Sequence, residues 1–180
     1  MHENELKNIK QGNKQLLTKS ILEKSKDLYR IAYAITGNEE DSKDAVSSTI
    51  LKVCEKIYTL KKPEFFKTWM TRILINECKN ILRKRKKITY LNENVESVKI
   101  NKEEDLISLD MKEAIKKLGN NFREIIVLYY YNDFSVKEIS DILNISAGTV
   151  KSRLSRARDE LKKYFNVKEG EIWMMKDLII

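Results

Sequence analysis

The side chains with the clearest chemical use in this sequence are basic and hydroxyl groups clustered in a short stretch near residue 150. No acidic residue occurs between Ala147 and Arg158. Arginine can pair with the edge of a guanine base, whereas serine and lysine can reach bases or phosphates. This composition therefore indicates a surface that binds DNA. Its candidate contact residues are Lys151, Ser152, Arg153, Ser155, Arg156 and Arg158.

Two short helices must position this stretch, and the residues before it supply the signals for both. Ser135 and Glu138 have the spacing of a capping box, in which each side chain satisfies an orphan amide at a helix start. Asn144 tolerates the left-handed conformation that a turn between helices often needs, and Ser146 is a natural N-cap for the second helix. These signals predict a helix-turn-helix, with an ordinary helical hairpin bearing a basic surface as the alternative. The inward-pointing residues of the second helix are Val150, Leu154, Ala157 and Leu161.

The second half of the chain resembles the C-terminal domain of the extracytoplasmic-function sigma factors of bacterial RNA polymerase. The run that carries the resemblance is FREIIVLYYYNDFSVKEISDILNISAGTVKSRLSRARDEL, and GTVKSRLSRAR is its most specific part. The family usually has alanine at Ser140 and glycine at Asn144, and both replacements here are small or turn-tolerant. The resemblance implies binding to the minus thirty-five promoter element. Arg153 and Arg158 are weaker candidates for reading bases, because either could bind a phosphate or an acid within the protein. By position it assigns base or backbone contacts to Lys151, Ser152, Ser155 and Arg156.

The first half is similar to the N-terminal domain of the same family through the runs LYRIAYAITGNEEDSKDAV and FKTWMTRILINECKNILRKRKK. The resemblance implies that the helix from about Asp41 to Ile57 binds the clamp of the polymerase's largest subunit. Asp41, Asp44 and Thr49 stand at matching positions, whereas Ser47 and Ser48 replace a glutamine and a glutamate. The two aspartates also suit the positive end of a helix dipole, and this role needs no partner.

A second DNA-binding role is implied for the loop from Tyr58 to Phe65 and for the helix after it. In the family these elements open the minus ten element by capturing flipped-out bases, while cations hold the exposed backbone. Asn76 matches a position near the flipped base, although a polar residue on a solvated helix face needs no such role. Trp69 suits the core as well as a stacking platform. The candidate residues are Lys61, Lys62, Trp69, Arg72, Asn76, Lys79 and Arg83, and the last begins a basic run that ends at Lys87.

Scarce glycine and proline together with long helical periodicities predict an all-α fold of two small domains. The expected helices are one over Lys14–Thr36, one that begins at Glu39 with the apolar stripe Val46, Ile50, Val53 and Ile57, and one after Pro63. The expected apolar side of the last is Phe66, Trp69, Met70, Ile73, Leu74, Ile81 and Leu82. We expect a sigma domain over residues 1–88, an acidic linker over 89–110, the helix-turn-helix domain over 111–166 and a tail over 167–180.

Composition narrows the function further. The 180-residue chain carries a formal net charge of +8, which suits a polyanionic partner. It has neither a signal peptide nor a membrane-spanning apolar run, so we expect a cytoplasmic protein. Cys54 and Cys78 lack metal-ligand spacing and are expected to be buried in helices, and we expect no cofactor or metal. The resemblance implies three partners: promoter DNA, core RNA polymerase through its clamp and the flap of its second-largest subunit, and an anti-sigma factor.

Three other classes of protein remain open at this stage. One is a protein-interaction module, which partly overlaps with the binding of an anti-sigma factor that the resemblance implies. A helix-turn-helix regulator that does not replace the sigma subunit would share the second half of the chain, but would bind its operator without polymerase. A small nuclease would need acids paired for metal ions beside a basic groove. The acids Glu39, Glu40, Asp41 and Asp44 cluster instead at a helix start, where a structural role is sufficient.

Overall fold

The computed structural model describes residues 2–89 and 109–165, and the tail and most of the expected linker lie outside these ranges. Every regular element within them is helical, which confirms the all-α prediction. The chain divides into two compact units, one containing residues 2–89 and the other residues 109–165. Neither range contains a helix long and apolar enough to cross a membrane.

The first unit is built on three mutually packed helices, which we call α3, α4 and α5. Two short 3₁₀ turns, Ile57–Thr59 and Pro63–Phe65, join α4 to α5. This core therefore fixes both ends of the loop that precedes α5. The helices of the unit are α1 (Glu3–Lys10), α2 (Lys14–Leu22), α3 (Ser25–Thr36), α4 (Glu39–Lys56) and α5 (Phe66–Thr89). Its most deeply buried side chains include Leu28, Ile31, Met70, Leu74 and Ile75.

The N-terminal region differs from the sequence prediction in two ways. The single helix expected over Lys14–Thr36 is wrong, because α2 ends at Leu22 and α3 begins at Ser25. The Ser25 hydroxyl donates to the Leu22 carbonyl at 2.8 Å and so satisfies an acceptor at the break. The helix α1 was not predicted, and it buries Leu6 and Ile9 while packing on α2 and on the turn Ile57–Thr59.

The buried face of α4 also differs from the predicted stripe. Val53 and Ile57 of that stripe are buried as predicted, whereas Val46 and Ile50 are only half-buried. The other fully buried positions of the helix carry the smaller Ser42, Ala45 and Thr49. Small side chains let α4 pack closely between α3 and α5. The hydroxyls this buries are satisfied within the unit, because Thr36 Oγ1 lies 2.8 Å from Ser42 Oγ. The buried residues of α4 are Ser42, Ala45, Thr49 and Val53.

The second unit contains α6 (Leu109–Lys117), α7 (Asn120–Ile126), a π-helical segment (Val127–Tyr131), α8 (Val136–Leu143) and α9 (Ala147–Phe165). The helix α9 packs against α6, α7 and α8. Arg123 on α7 reaches back across the α6–α7 turn. Its Nε donates to the Ile115 carbonyl at 3.1 Å, and its Nη2 donates to the carbonyls of Lys116 and, at 3.0 Å, Leu118. Burial lowers the pKa of the Arg123 guanidinium from its ordinary value.

The two cysteines lie in different environments. Cys78 is buried in α5 as predicted, but the prediction for Cys54 is wrong because its side chain is exposed on α4. Cys54 follows the buried Val53 and is turned about 100° around the helix from it, away from the core. Within the described ranges, no group of histidine, cysteine, aspartate and glutamate residues is arranged to hold a metal ion.

Candidate nucleic-acid interface

The helix-turn-helix forms as the sequence predicts, and each local signal makes its expected contact. Glu138 Oε2 accepts the Ser135 amide at 2.8 Å, and the Glu138 amide donates to Ser135 Oγ at 3.2 Å. Asn144 ends α8 in the left-handed conformation, with φ 54° and ψ 50°. The Thr149 amide donates to Ser146 Oγ at 3.0 Å at the start of α9. These bonds fix where α9 begins and therefore which of its faces points outward.

The helix α9 separates its apolar and polar residues cleanly. The four residues predicted to point inward are all buried. Of the six candidate contact residues, Arg153 and Arg158 are half-buried on the flanks. The Nε atom of Arg158 is buried and has no hydrogen-bond partner among the described residues, so this arginine leans into the unit. The four exposed candidates, which form the outward face of α9, are Lys151, Ser152, Ser155 and Arg156.

A second surface with DNA-binding chemistry runs along α5. Five candidate residues recur at steps of three, four, three and four, so one face of the helix carries all of them. Trp69 is half-buried, with its ring centroid 6.4 Å from that of the buried Phe66. Lys79 is also half-buried, whereas the other three are exposed. This α5 stripe consists of Trp69, Arg72, Asn76, Lys79 and Arg83.

The loop before α5 alternates buried and exposed side chains. Leu60 is buried, as are the neighbouring Ile57 and Phe66, so three apolar residues anchor the loop in the core. The candidate cations Lys61 and Lys62 are exposed, and Lys62 Nζ lies 3.6 Å from Glu64 Oε1. The aromatic side chains of Tyr58 and Phe65 are exposed as well, and sequence reasoning did not single them out. The sequence offered one signal for them, because each stands next to an apolar residue, Ile57 or Phe66, that the fold buries.

The candidate polymerase-binding residues of α4 occupy three different environments. Asp44 is exposed near the helix start. Asp41 Oδ2 accepts Arg85 Nη1 at 2.9 Å, which ties the start of α4 to the basic run at the end of α5. Thr49 is 0% exposed and donates its hydroxyl to the Ala45 carbonyl at 2.7 Å. This burial favours a packing role for Thr49, and its contact with polymerase stays a prediction.

Comparison with known protein families yields two matches in the order of the two units. The family model described as Sigma-70 region 2 matches residues 21–88, and the model described as Sigma-70, region 4 matches residues 108–161. The first range contains α4, the loop and nearly all of α5, and the second contains α6 to most of α9. Each candidate DNA-binding surface therefore lies within a matched range.

Individual relatives cover most of the chain. The RNA polymerase sigma factor SigV of Bacillus subtilis is 34% identical over 82% of this chain and 90% of its own length. The ECF RNA polymerase sigma factor SigW of the same organism is 29% identical over 88% of this chain and 93% of its own. Among solved structures, the sigma factor RpoE of Bartonella quintana, in complex with the anti-sigma factor NepR, matches with a TM-score of 0.76 at 28% identity. That match covers 85% of this chain and 98% of the solved one.

Proposed function

This chain belongs to the extracytoplasmic-function group of the sigma-70 family, and from that membership we propose how its units divide the work of promoter recognition. As a member it is an alternative sigma factor, a transcription-initiation factor that directs RNA polymerase to promoters. The observation that carries this function is that both sigma-70 regions match one chain in order. The proposed domains are residues 1–88 for the clamp and the minus ten element and 111–166 for the minus thirty-five element, joined by a linker over 89–110.

In the second unit, the outward face of α9 binds the minus thirty-five element. This face carries cations and hydroxyls with no carboxylate before Asp159, and such a helix fits the major groove without charge repulsion. Arg156 is its strongest candidate for reading a guanine, because it is the arginine among the four exposed residues of the face. Arg158 has a different role, since its buried Nε marks it as part of the packing of the unit.

In the first unit, the α5 stripe and the loop bind the opened minus ten element. The stripe presents cations and one amide on a helix that is 24 residues long, which suits a strand backbone that runs along it. Asn76 is exposed and has the donor and acceptor needed to read a base edge. The exposed lysines Lys61 and Lys62 extend the positive surface into the loop. Binding through these cations falls steeply as salt rises, because it releases counterions.

The remaining partners follow from the family. Asp44, exposed near the start of α4, is the proposed contact with the polymerase clamp. The Asp41 carboxylate is also a candidate, but it forms an ion pair with Arg85 within the first unit. The flap of the second-largest subunit is the proposed partner of the second unit. An anti-sigma factor is also proposed, because the related RpoE was solved in complex with one. Because a sigma factor acts together with RNA polymerase, we place this chain in the cytoplasm.

Run-off transcription with bacterial core RNA polymerase on a library of promoter fragments tests this function. We expect transcripts that depend on this protein and start downstream of a shared two-part motif. Polymerase-independent binding to duplex DNA without transcripts would instead favour a regulator that does not replace the sigma subunit. From the promoter found in this way, the residue assignments are tested one at a time.

Two arginines on α9 form a matched pair for the minus thirty-five assignment. Arg156→Ala is expected to reduce transcription from the cognate promoter about 5- to 150-fold, since a bidentate contact to a base supplies ~1–3 kcal/mol. Its affinity for polymerase and its melting temperature should be unchanged. Arg158→Ala is expected to lower the melting temperature instead, because its side chain is half-buried. The assignment would be contradicted if Arg156→Ala failed to fold. It would also be contradicted if Arg158→Ala lost promoter activity while keeping its stability, since Arg158 would then be a DNA contact.

A further inference from the structure

Along its 24 residues the helix α5 carries a single acidic residue, Glu77, which directly follows Asn76 of the α5 stripe. Its carboxylate has the wrong charge for a surface that binds phosphates. An α-helix with its side chains is only ~10–12 Å across. A strand bound along the stripe therefore lies close to one Debye length, ~10 Å at 0.1 M salt, from Glu77. Unless this carboxylate is neutralised, it repels the strand that the stripe binds.

A lysine from the neighbouring helix neutralises the Glu77 carboxylate. Lys52 Nζ of α4 lies 2.5 Å from Glu77 Oε1, and the two residues stand 25 positions apart in the sequence. The side chain of Glu77 is only 12% exposed, so the pair is partly shielded from water and salt. At a greater distance, a paired cation and anion act as a dipole rather than as a full negative charge. With Lys52 in place, the stripe keeps its positive character.

The same carboxylate also heads a short chain of side-chain bonds that ends on the stripe. Asn80 Nδ2 donates to Glu77 Oε1 at 3.5 Å, and Arg83 Nη1 donates to Asn80 Oδ1 at 3.3 Å. Through this chain, a change of charge at Glu77 is felt by Arg83, a cation of the stripe. An unpaired carboxylate would attract Arg83 and compete with the phosphates for it. The pair with Lys52 leaves Arg83 available to DNA.

We propose that Lys52 is a positioning residue for promoter DNA, because it neutralises Glu77 and so keeps the α5 stripe available to phosphates. This inference rests on the proposed function and adds to it a residue of α4 that acts through Glu77. The competing interpretation is an ion pair that only stabilises the first unit. Loss of either partner breaks such a pair to the same extent. Only the loss of Lys52 presents an unpaired acid to DNA, whereas the loss of Glu77 removes the acid and frees a cation.

The test uses polymerase holoenzyme reconstituted with the full chain and the promoter found by run-off transcription. Its probe is a single-stranded oligonucleotide of the non-template minus ten region. At ~0.1 M salt, Lys52→Gln is expected to weaken binding of this strand about 2- to 5-fold, because one added negative charge ~10 Å from a phosphate contributes about that much. The loss should shrink as salt rises. Glu77→Gln should bind at least as tightly as the unaltered protein, and the double variant should return to within about 2-fold of it.

The control is Lys43→Gln, which breaks an ion pair of the same length within α4, since Lys43 Nζ lies 2.5 Å from Glu39 Oε1. It should leave binding of the strand unchanged. The proposal is overturned if Glu77→Gln weakens binding as much as Lys52→Gln does, since the pair then acts only by stabilising the unit. It is also overturned if the double variant stays as weak as Lys52→Gln, or if Lys43→Gln is equally weak. Failure of the unaltered chain to direct any transcription refutes the proposed function itself.

Discussion

Removal of the Arg123 guanidinium is the most informative perturbation of the second unit. Three of its donated bonds reach the carbonyls of Ile115, Lys116 and Leu118 at the C-terminal end of α6, where the last carbonyls of a helix have no amide four residues on to accept from. A hydrogen bond from a charged donor contributes ~1.5–3 kcal/mol. The site is half-buried and water replaces part of what is lost. Arg123→Met should therefore cost about 2–4 kcal/mol of the free energy of unfolding of this unit.

This loss should appear as a lower melting temperature of the second unit by roughly 10 °C or more, given its small size. Hydrogen exchange of the α6 and α7 amides separates it from changes in the first unit. Arg123→Lys keeps the charge but not the planar fork, so it should recover less than half of the loss. Arg156→Met is the matched control, because that arginine is exposed, and it should change stability by less than about 0.5 kcal/mol. Equal effects of Arg123→Met and Arg156→Met would refute the reasoning.

Other expectations follow from single contacts. Thr49→Val removes the bond to the Ala45 carbonyl and should cost about 1 kcal/mol of stability while leaving polymerase affinity intact; a tenfold weaker complex would restore the contact role. Asn144→Ala places alanine at φ 54° and should destabilise the second unit by ~1 kcal/mol in denaturant melts, whereas an unchanged midpoint would show that the turn adapts. A thiol reagent should label Cys54 at once and Cys78 only on unfolding. Leu6→Asp should detach α1 and slow promoter opening, measured by permanganate reactivity, with duplex binding retained.

The helix-turn-helix was predictable because its signals are local. Ser135 and Asn144 each act on backbone groups within five residues, so their meaning does not depend on the rest of the fold. The outward face of α9 follows from the same local frame, since fixing the start of a helix fixes the direction of every side chain on it.

Features that depend on distant packing were missed. The buried face of α4 is set by how closely α3 and α5 approach it, and the sequence pattern pointed to the larger Val46 and Ile50 rather than to Ser42 and Thr49. The Asp41–Arg85 pair joins residues 44 positions apart, which no helical spacing indicates. The Arg123 bonds depend on how the chain turns between α6 and α7.

The two candidate DNA surfaces are held in different ways, and this difference bears on their function. The outward face of α9 is a continuous helix with its own caps, so it is ordered before DNA arrives. The loop before α5 depends on the buried anchors Ile57 and Leu60 and on α1, which packs against the turn that contains Ile57. If the loop had to become ordered on binding, the conformational entropy lost would make the binding of bases less favourable. We therefore predict that the N-terminal helix contributes to strand opening by keeping the loop preorganised.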